Sequence, residues 1–320
     1  MVNESLPKLA YLTGEYPKAS HTFILREIAA IRALGATVLP ASIRQPSTDN
    51  LIGSEEITEE ERTFYVLNAA KSPRKLCSAH FALLRQPKRW FGALILAFRN
   101  GRPRLRGLLW LLFYFLDSGV LAHKLRDEEI NHLHNHFADS SANVAMITAE
   151  LANIPFSFTL HGPAELFEPE SWHLRTKIAR AAHVFCISHF ARSQAMLFSD
   201  PAHWSKLRII HCGIEPARYD AAPSNREDGL DLVFVGRLTA IKGLRVLFEA
   251  LAEVRKTHPD VTLTLIGDGD DRPYTEAQAR QLGHVTLLGF QSQDAVSQAL
   301  GKADALVLPS FAEGVPVVLM

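Results

Sequence analysis

Short apolar runs, each followed by a longer stretch with apolar residues at every third or fourth position, recur from end to end of this 320-residue chain. A strand that returns parallel to its neighbour needs a helical crossover, so the alternation restricts the chain to α/β folds built on parallel sheets. Two sets of runs separate. The first holds Leu9 to Thr13, Thr37 to Ile43, His132 to Phe137, Phe156 to His161, Val184 to Ser188 and Arg208 to His211. The second holds Leu232 to Val235, Val261 to Ile266, Val285 to Leu288, Ala305 to Leu308 and Val315 to Leu319, with helical patterns from Leu244 and Asp294. Between the sets, Pro216, Pro223 and Gly229 stand among polar residues and the periodicity is lost. The expected organisation is a domain over 1–213, a linker over 214–229 and a second domain over 230–320. In the first domain Ile24, Ile28, Ile31 and Leu34 make one face of a helix over Thr22 to Leu34.

Thirty-four basic residues balance thirty-four acidic ones, which argues against a surface built for nucleic acid. Cys77, Cys186 and Cys212 are odd in number and widely spaced, so neither a disulfide framework nor a zinc site is expected, and a cytoplasmic setting is. The first residues lack the pattern of a secretory signal, and the apolar run Leu108 to Leu116 is half of the roughly 20 residues a bilayer span needs. One region departs from the α/β rhythm. Glu55, Glu56, Glu59, Glu60 and Glu61 cluster, whereas Lys71 to Leu116 holds ten Lys or Arg and no Asp or Glu. Trp90, Phe91, Leu94, Ile95, Phe98, Trp110, Phe113 and Tyr114 are interleaved with those charges. A basic helical insert over about 71–124 suits either peripheral contact with an anionic membrane surface or plain packing on the domain.

The residues that point to chemistry sit at strand ends. Val233 to Gly243 reads as a strand that ends at Gly236 and releases Arg237 and Lys242 just before a helix, a combination of two cations and a helix N-terminus that suits a diphosphate. Arg237 offers a bidentate grip and Lys242 a point charge. Gly267 and Gly269 flank Asp268 in a turn where the backbone can approach a ligand. Asp268 and Asp270 also mimic a D-x-D metal motif, a reading set aside because Arg237 and Lys242 already supply positive charge. Glu313 and Gly314 join the last two apolar runs, placing a carboxylate where it can accept hydrogen bonds from sugar hydroxyls. His132, His134 and His136 alternate on one face of a strand and pass for metal ligands, but no metal is expected; His161 and Gly162 close the next strand.

In this order, G-R-L-x-x-x-K-G from Gly236 to Gly243, G-x-G from Gly267 to Gly269 and S-x-x-E-G-x-P from Ser310 to Pro316 resemble glycosyltransferase family 4 of the GT-B architecture. The loop Thr13 to Pro17, the H-x-H-F-A segment from His134 to Ala138 and the His161–Gly162 pair are similar to the family's first half, so the resemblance covers nearly the whole chain. With the basic insert it looks like the subgroup that builds bacterial exopolysaccharides, including colanic-acid-type enzymes. The resemblance implies two Rossmann-like domains facing across a cleft, and retaining transfer of a hexosyl unit from a UDP- or GDP-sugar to a glycan or lipid-linked acceptor, without cofactor or metal. It implies catalytic roles for His161 and Glu313, donor binding by Arg237, Lys242, Gly236, Gly267, Gly269, Gly289, Gly314 and Val315, and an acceptor or phosphate loop of Gly14, Glu15 and His136. The family's second Glu would fall just after Met320, so an incomplete second domain and impaired transfer are expected. Two other readings stay open: a sugar-nucleotide epimerase on the same architecture, and a non-catalytic nucleotide-sugar or membrane-interaction module. A dinucleotide oxidoreductase is disfavoured, since Leu12 to Tyr16 lacks G-x-G-x-x-G.

Overall fold

The computed structural model describes residues 7–47, 51–99, 105–219 and 230–320. Strands β1 (Lys8–Glu15), β2 (Thr37–Arg44), β3 (Phe64–Tyr65), β4 (His132–His136), β5 (Phe156–Leu160), β6 (His183–Cys186) and β7 (Leu207–Ile209) form one parallel sheet in the order β3-β2-β1-β4-β5-β6-β7. Strands β8 (Asp231–Val235), β9 (Thr262–Ile266), β10 (Val285–Gly289) and β11 (Ala305–Leu306) form a second, in the order β10-β9-β8-β11. In each sheet the order reverses beside the first strand of its set. The crevice at that strand's carboxyl end is where open α/β sheets bind ligands.

Helix α1 (Thr22–Ala33) follows β1 after a cis Tyr16–Pro17 bond and buries Ile24, Leu25 and Ile28. Gly35, at φ 93°, turns the chain away from it. Next come α2 (Ser54–Arg62), α3 (Val66–Ala70), α4 (Pro73–Leu83), α5 (Pro87–Arg99) and α6 (Leu105–Asp127). The acidic cluster lies on α2, where Glu59 is buried against the guanidinium of Arg32 and accepts from Tyr16 Oη at 3.3 Å, so that carboxylate serves the packing. Helix α7 (Ser140–Ala152) is buried along almost its whole length; Asp139 Oδ1 caps it, accepting from Ser141 N at 2.8 Å, and Asn153 ends it at φ 59°. The first domain closes with α8 (Pro163–Phe167), α9 (Leu174–Arg180) and α10 (His189–Leu197); the second carries α11 (Leu244–Val254), α12 (Arg272–Leu282) and α13 (Gln293–Lys302).

The basic insert is the helical layer α4–α6. Leu83, Ala93, Ala97 and Phe115 pack on Ile147 and Leu151 of α7, and each large apolar side chain removed from water there contributes about 1.5–3 kcal/mol. The layer is packed on one side only. Phe81, Phe91, Ile95, Phe98, Leu109, Trp110, Leu112 and Phe113 are all more than 40% exposed. Among the described residues no helix is long and apolar enough to cross a membrane.

Two expectations need correction. Val315 to Leu319 is no strand: Val317–Leu319 is a 3-10 turn, because Pro316 has no N–H to give a ladder and the run's apolar side chains wall a cavity instead. Strand β3, of two residues, was too short to register as a pattern. Of the expected linker, Pro216–Tyr219 is a 3-10 turn, and Pro223 and Gly229 lie outside the described residues.

Candidate active site

Two cavities adjoin at Arg237. The smaller, about 270 Å³, is walled by Gly236, Arg237, Lys242, Gly267, Glu313 and Val315 of the second domain and by Thr22 and Phe23 of the first. The larger, about 630 Å³, includes Gly14, Glu15, Lys18 and His21 from the end of β1 and the turn after it, with Arg237 again on its border.

The smaller cavity owes its shape to backbone pressed on backbone. Gly267 has φ +133°, and a Cβ there would stand 2.0 Å from the Gly236 carbonyl oxygen; at Gly243, φ +70°, it would stand 2.0 Å from that of Pro309. Only glycine fits either conformation and space. These contacts bring the ends of β8 and β9 together and set Lys242 at the entrance to α11. Lys242 Nζ pairs with Glu313 Oε1, both side chains mostly buried, at 16% and 23% exposure. Arg237 is exposed and has no ion-pair partner among the described residues. Gly269 and Gly289 also have positive φ and shape turns, and neither lines either of these two cavities.

The two halves of the site touch at Gly314. A Cβ on it would lie 2.2 Å from the His161 carbonyl oxygen and 3.0 Å from Gly162 Cα, so the Glu313–Gly314 turn rests directly on the His161–Gly162 turn. That second turn is held from beneath by Glu165. Its Oε2 accepts from His161 N at 2.6 Å and Gly162 N at 3.0 Å, and its Oε1 accepts from Ala138 N. Burial pushes this carboxyl up to about 7. Beside it Lys177, wholly buried, donates to the carbonyls of Ala138 at 2.6 Å and Asp139 at 2.7 Å, and burial brings its ammonium down to about 7.

His161 does not present its ring to either cavity. Its Nε2 shares a hydrogen bond with His136 Nδ1 at 2.8 Å, its ring lies 4.6 Å from that of Phe23, and its Nδ1 is 3.9 Å from Cys212 Sγ. Burial, with the neighbouring His21 and His134, depresses it to about 3, so it is a neutral imidazole. What it turns toward Gly314 is its carbonyl. His136 is wholly buried and lines neither of these two cavities; it sits on β4, not in a loop, and its ring faces inward at His161 and Glu27. Glu27, His134 and His136 offer ligand atoms within 4.8 Å of one another. Both nitrogens of His134 are already engaged, by Ser157 Oγ at 2.8 Å and Thr159 Oγ1 at 3.0 Å, and Glu27 accepts from Tyr11 Oη at 2.8 Å. The Asp268 carboxylate is likewise engaged, by Arg272 and by Gly269 N at 2.7 Å.

Sequence reasoning passed over Glu165, Lys177, Glu27 and Phe23. Glu165 had a signal: a carboxylate three residues beyond the Gly162 turn, at the entrance to a helix, is a capping pattern. Lys177 and Glu27 had none, since a charged residue in an amphipathic helix reads as solvent-facing.

Two parallel sheets of Rossmann order, with a cleft between their strand ends, define the GT-B architecture. Residues 65–218 match the family model for Glycosyltransferase Family 4 and residues 229–320 that for Glycosyl transferases group 1. The chain belongs to glycosyltransferase family 4. It is 29% identical over 212 residues to the putative teichuronic acid biosynthesis glycosyltransferase TuaC of Bacillus subtilis, a match covering 62% of this chain and 51% of that protein. It is 27% identical to the glycogen synthase of Mycobacterium tuberculosis, over 96% of this chain and 73% of the other, and 24% identical to the amylovoran biosynthesis glycosyltransferase AmsK of Erwinia amylovora, over 98% and 79%. In structure it resembles Anabaena HepE, solved in complex with UDP and glucose, at a TM-score of 0.62 and 16% identity, covering 95% of this chain and 74% of that one.

Proposed function

We propose that the protein is a retaining glycosyltransferase that moves a hexosyl unit from a nucleoside-diphosphate sugar to a glycan or lipid-linked acceptor in assembly of a bacterial exopolysaccharide. The observation that carries this is the convergence of Arg237, Lys242 and Glu313 on one cavity closed by residues of both domains. When the glycosidic bond breaks, its electron pair goes to an oxygen of the departing diphosphate, and fixed cations there lower the barrier. Arg237 and Lys242 are those cations, doing what a metal does elsewhere, and no cofactor is needed. An incoming diphosphate competes with Glu313 for Lys242 and so frees the carboxylate to accept from sugar hydroxyls. The acceptor oxygen attacks C1 from the face that the phosphate leaves, and its proton passes to the leaving phosphate oxygen. Glu165 acts at one remove, through the His161–Gly162 turn on which Gly314 rests.

The polymer assignment is supported by the names of TuaC and AmsK, and the donor class by the UDP and glucose bound to HepE. A second reading concerns where the protein works. Exposed Phe81, Phe91, Ile95 and Phe98 on α4 and α5, with Lys88 and Arg89 on α5 and Arg85 in the turn between the two helices, support docking on an anionic membrane surface.

The test is saturation-transfer NMR against UDP, GDP and their sugars, followed by a transfer assay. One nucleotide should saturate selectively, with the signal lost in Arg237→Ala. Donor epimerised without transfer would move the epimerase to the front, and no nucleotide binding at all would favour a non-catalytic module.

A further inference from the structure

Helix α6 reaches the larger cavity as well as the surface. Trp110, Phe113, Tyr114 and Asp117 stand at positions i, i+3, i+4 and i+7, so they share one helix face, and all four line the 630 Å³ space. That face is apolar and aromatic except at Asp117, which is 7% exposed. Its carboxyl is pushed up to about 6 by burial alone, and it has no hydrogen-bond or ion-pair partner among the described residues. The other carboxylates of this cavity are committed: Glu15 pairs with Lys18 at 3.0 Å, Asp139 caps α7, and Glu165 holds three backbone amides. A lone carboxyl in an aromatic wall costs folding energy, and a leucine there would fold better. Folding therefore does not account for it, whereas a ligand with hydroxyl donors does.

We propose that α6 carries the acceptor-sugar subsite: Asp117 accepts hydrogen bonds from hydroxyls of a saccharide lying against Trp110 and Tyr114, whose apolar aglycone leaves along Leu109, Leu112 and Phe113. The inference rests on the glycosyltransferase reading and adds the class of acceptor, an amphiphilic glycoside. Three features agree. Arg237 borders both cavities, so the space that Asp117 lines opens toward the proposed donor site. Aromatic faces take the apolar side of a pyranose while a carboxylate takes its hydroxyls. Leu109, Leu112 and Phe113, 52%, 41% and 56% exposed, continue the same helix out of the cavity as an apolar track.

Saturation-transfer NMR of the 320-residue chain, with methyl and octyl β-glucosides and β-galactosides as probes and UDP and GDP as donor-side controls, tests this. Ring protons should saturate in the wild type, with octyl glycosides binding at least tenfold more tightly than methyl ones. In Asp117→Leu the ring signals should vanish while nucleotide signals persist and the unfolding temperature holds or rises, an effect that a structural carboxyl would not give. Asp117→Asn, which keeps the shape, should weaken glycoside binding several-fold. Undiminished ring saturation in Asp117→Leu, or loss of both ligands with a lower unfolding temperature, overturns the subsite. Nucleotide binding without glycoside binding in the wild type also overturns it and leaves the transferase reading standing; glycoside binding without nucleotide does the reverse.

Discussion

At Gly314, on the second domain, a side chain of any size would collide with the first domain, at the His161 carbonyl and at Ile187 Cδ1, which lies 2.8 Å from a built Cβ. Gly314→Ala should displace the Glu313 turn by about an ångström and lower transfer efficiency 10–100-fold while leaving each domain folded. Kinetics beside thermal unfolding check this, and undiminished kcat/KM would mean that the turn is looser than its contacts imply. The histidines behind the site make a second prediction. His134 is wholly buried and depressed to about 3 by burial, against 6.5 in an unfolded chain. A depressed imidazole contributes stability that is complete above 6.5 and is lost as pH falls toward 3, since only the unfolded chain takes up the proton. Between pH 7 and pH 5 this amounts to about 2 kcal/mol. Asp117 and Glu165, raised by burial, act in the opposite sense, so the difference between wild type and His134→Asn isolates the term. Urea unfolding at the two pH values should show the variant losing about 2 kcal/mol less.

The layer α4–α6 is where one element does two jobs. Its buried face was set by packing on α7, and its exposed face keeps large apolar side chains among basic ones. Near an anionic surface each Lys or Arg contributes about 1 kcal/mol, so reversing Arg85, Lys88 and Arg89 to Glu should weaken binding to acidic liposomes by more than 100-fold at low salt. Co-sedimentation measures it; unchanged binding would leave the exposed face to the acceptor alone. The amphipathic spacing of this layer was legible in the sequence. Which face turned inward was not, because that depended on Ile147 and Leu151, distant in the chain.

At the scale of the molecule, described polar ties between the domains are few and partly exposed. Arg26 donates to Gln293 Oε1 at 2.8 Å, and Arg218, in the connecting segment, pairs with Glu55 of the first domain at 3.1 Å and Asp294 of the second at 3.4 Å. Exposed ion pairs contribute 0–1 kcal/mol, so these bonds bias the relative position of the domains more than they stabilise either one. The double variant Arg26→Ala/Arg218→Ala should show a larger radius of gyration by small-angle X-ray scattering with an unfolding temperature nearly unchanged. An unchanged radius would assign the closed arrangement to the Gly314 contact.

The sequence by itself determined the parallel α/β class, the two sets of strands and the placing of Arg237, Lys242, Glu313 and Gly314 at strand ends, because periodicity and glycine-bearing turns are local properties of the chain. It also carried the family. Only the tertiary structure decided that His161 turns its carbonyl rather than its ring toward Gly314, that His136 faces the interior, and that Val315 to Leu319 walls a cavity instead of adding a strand. It alone decided that Glu165 and Lys177 are buried supports and that Asp117 opens on a cavity. Each of these depends on which distant backbone or side chain is a neighbour. A carboxylate that holds three amides and one that waits for a ligand are the same residue type in a helix, and only their surroundings tell them apart.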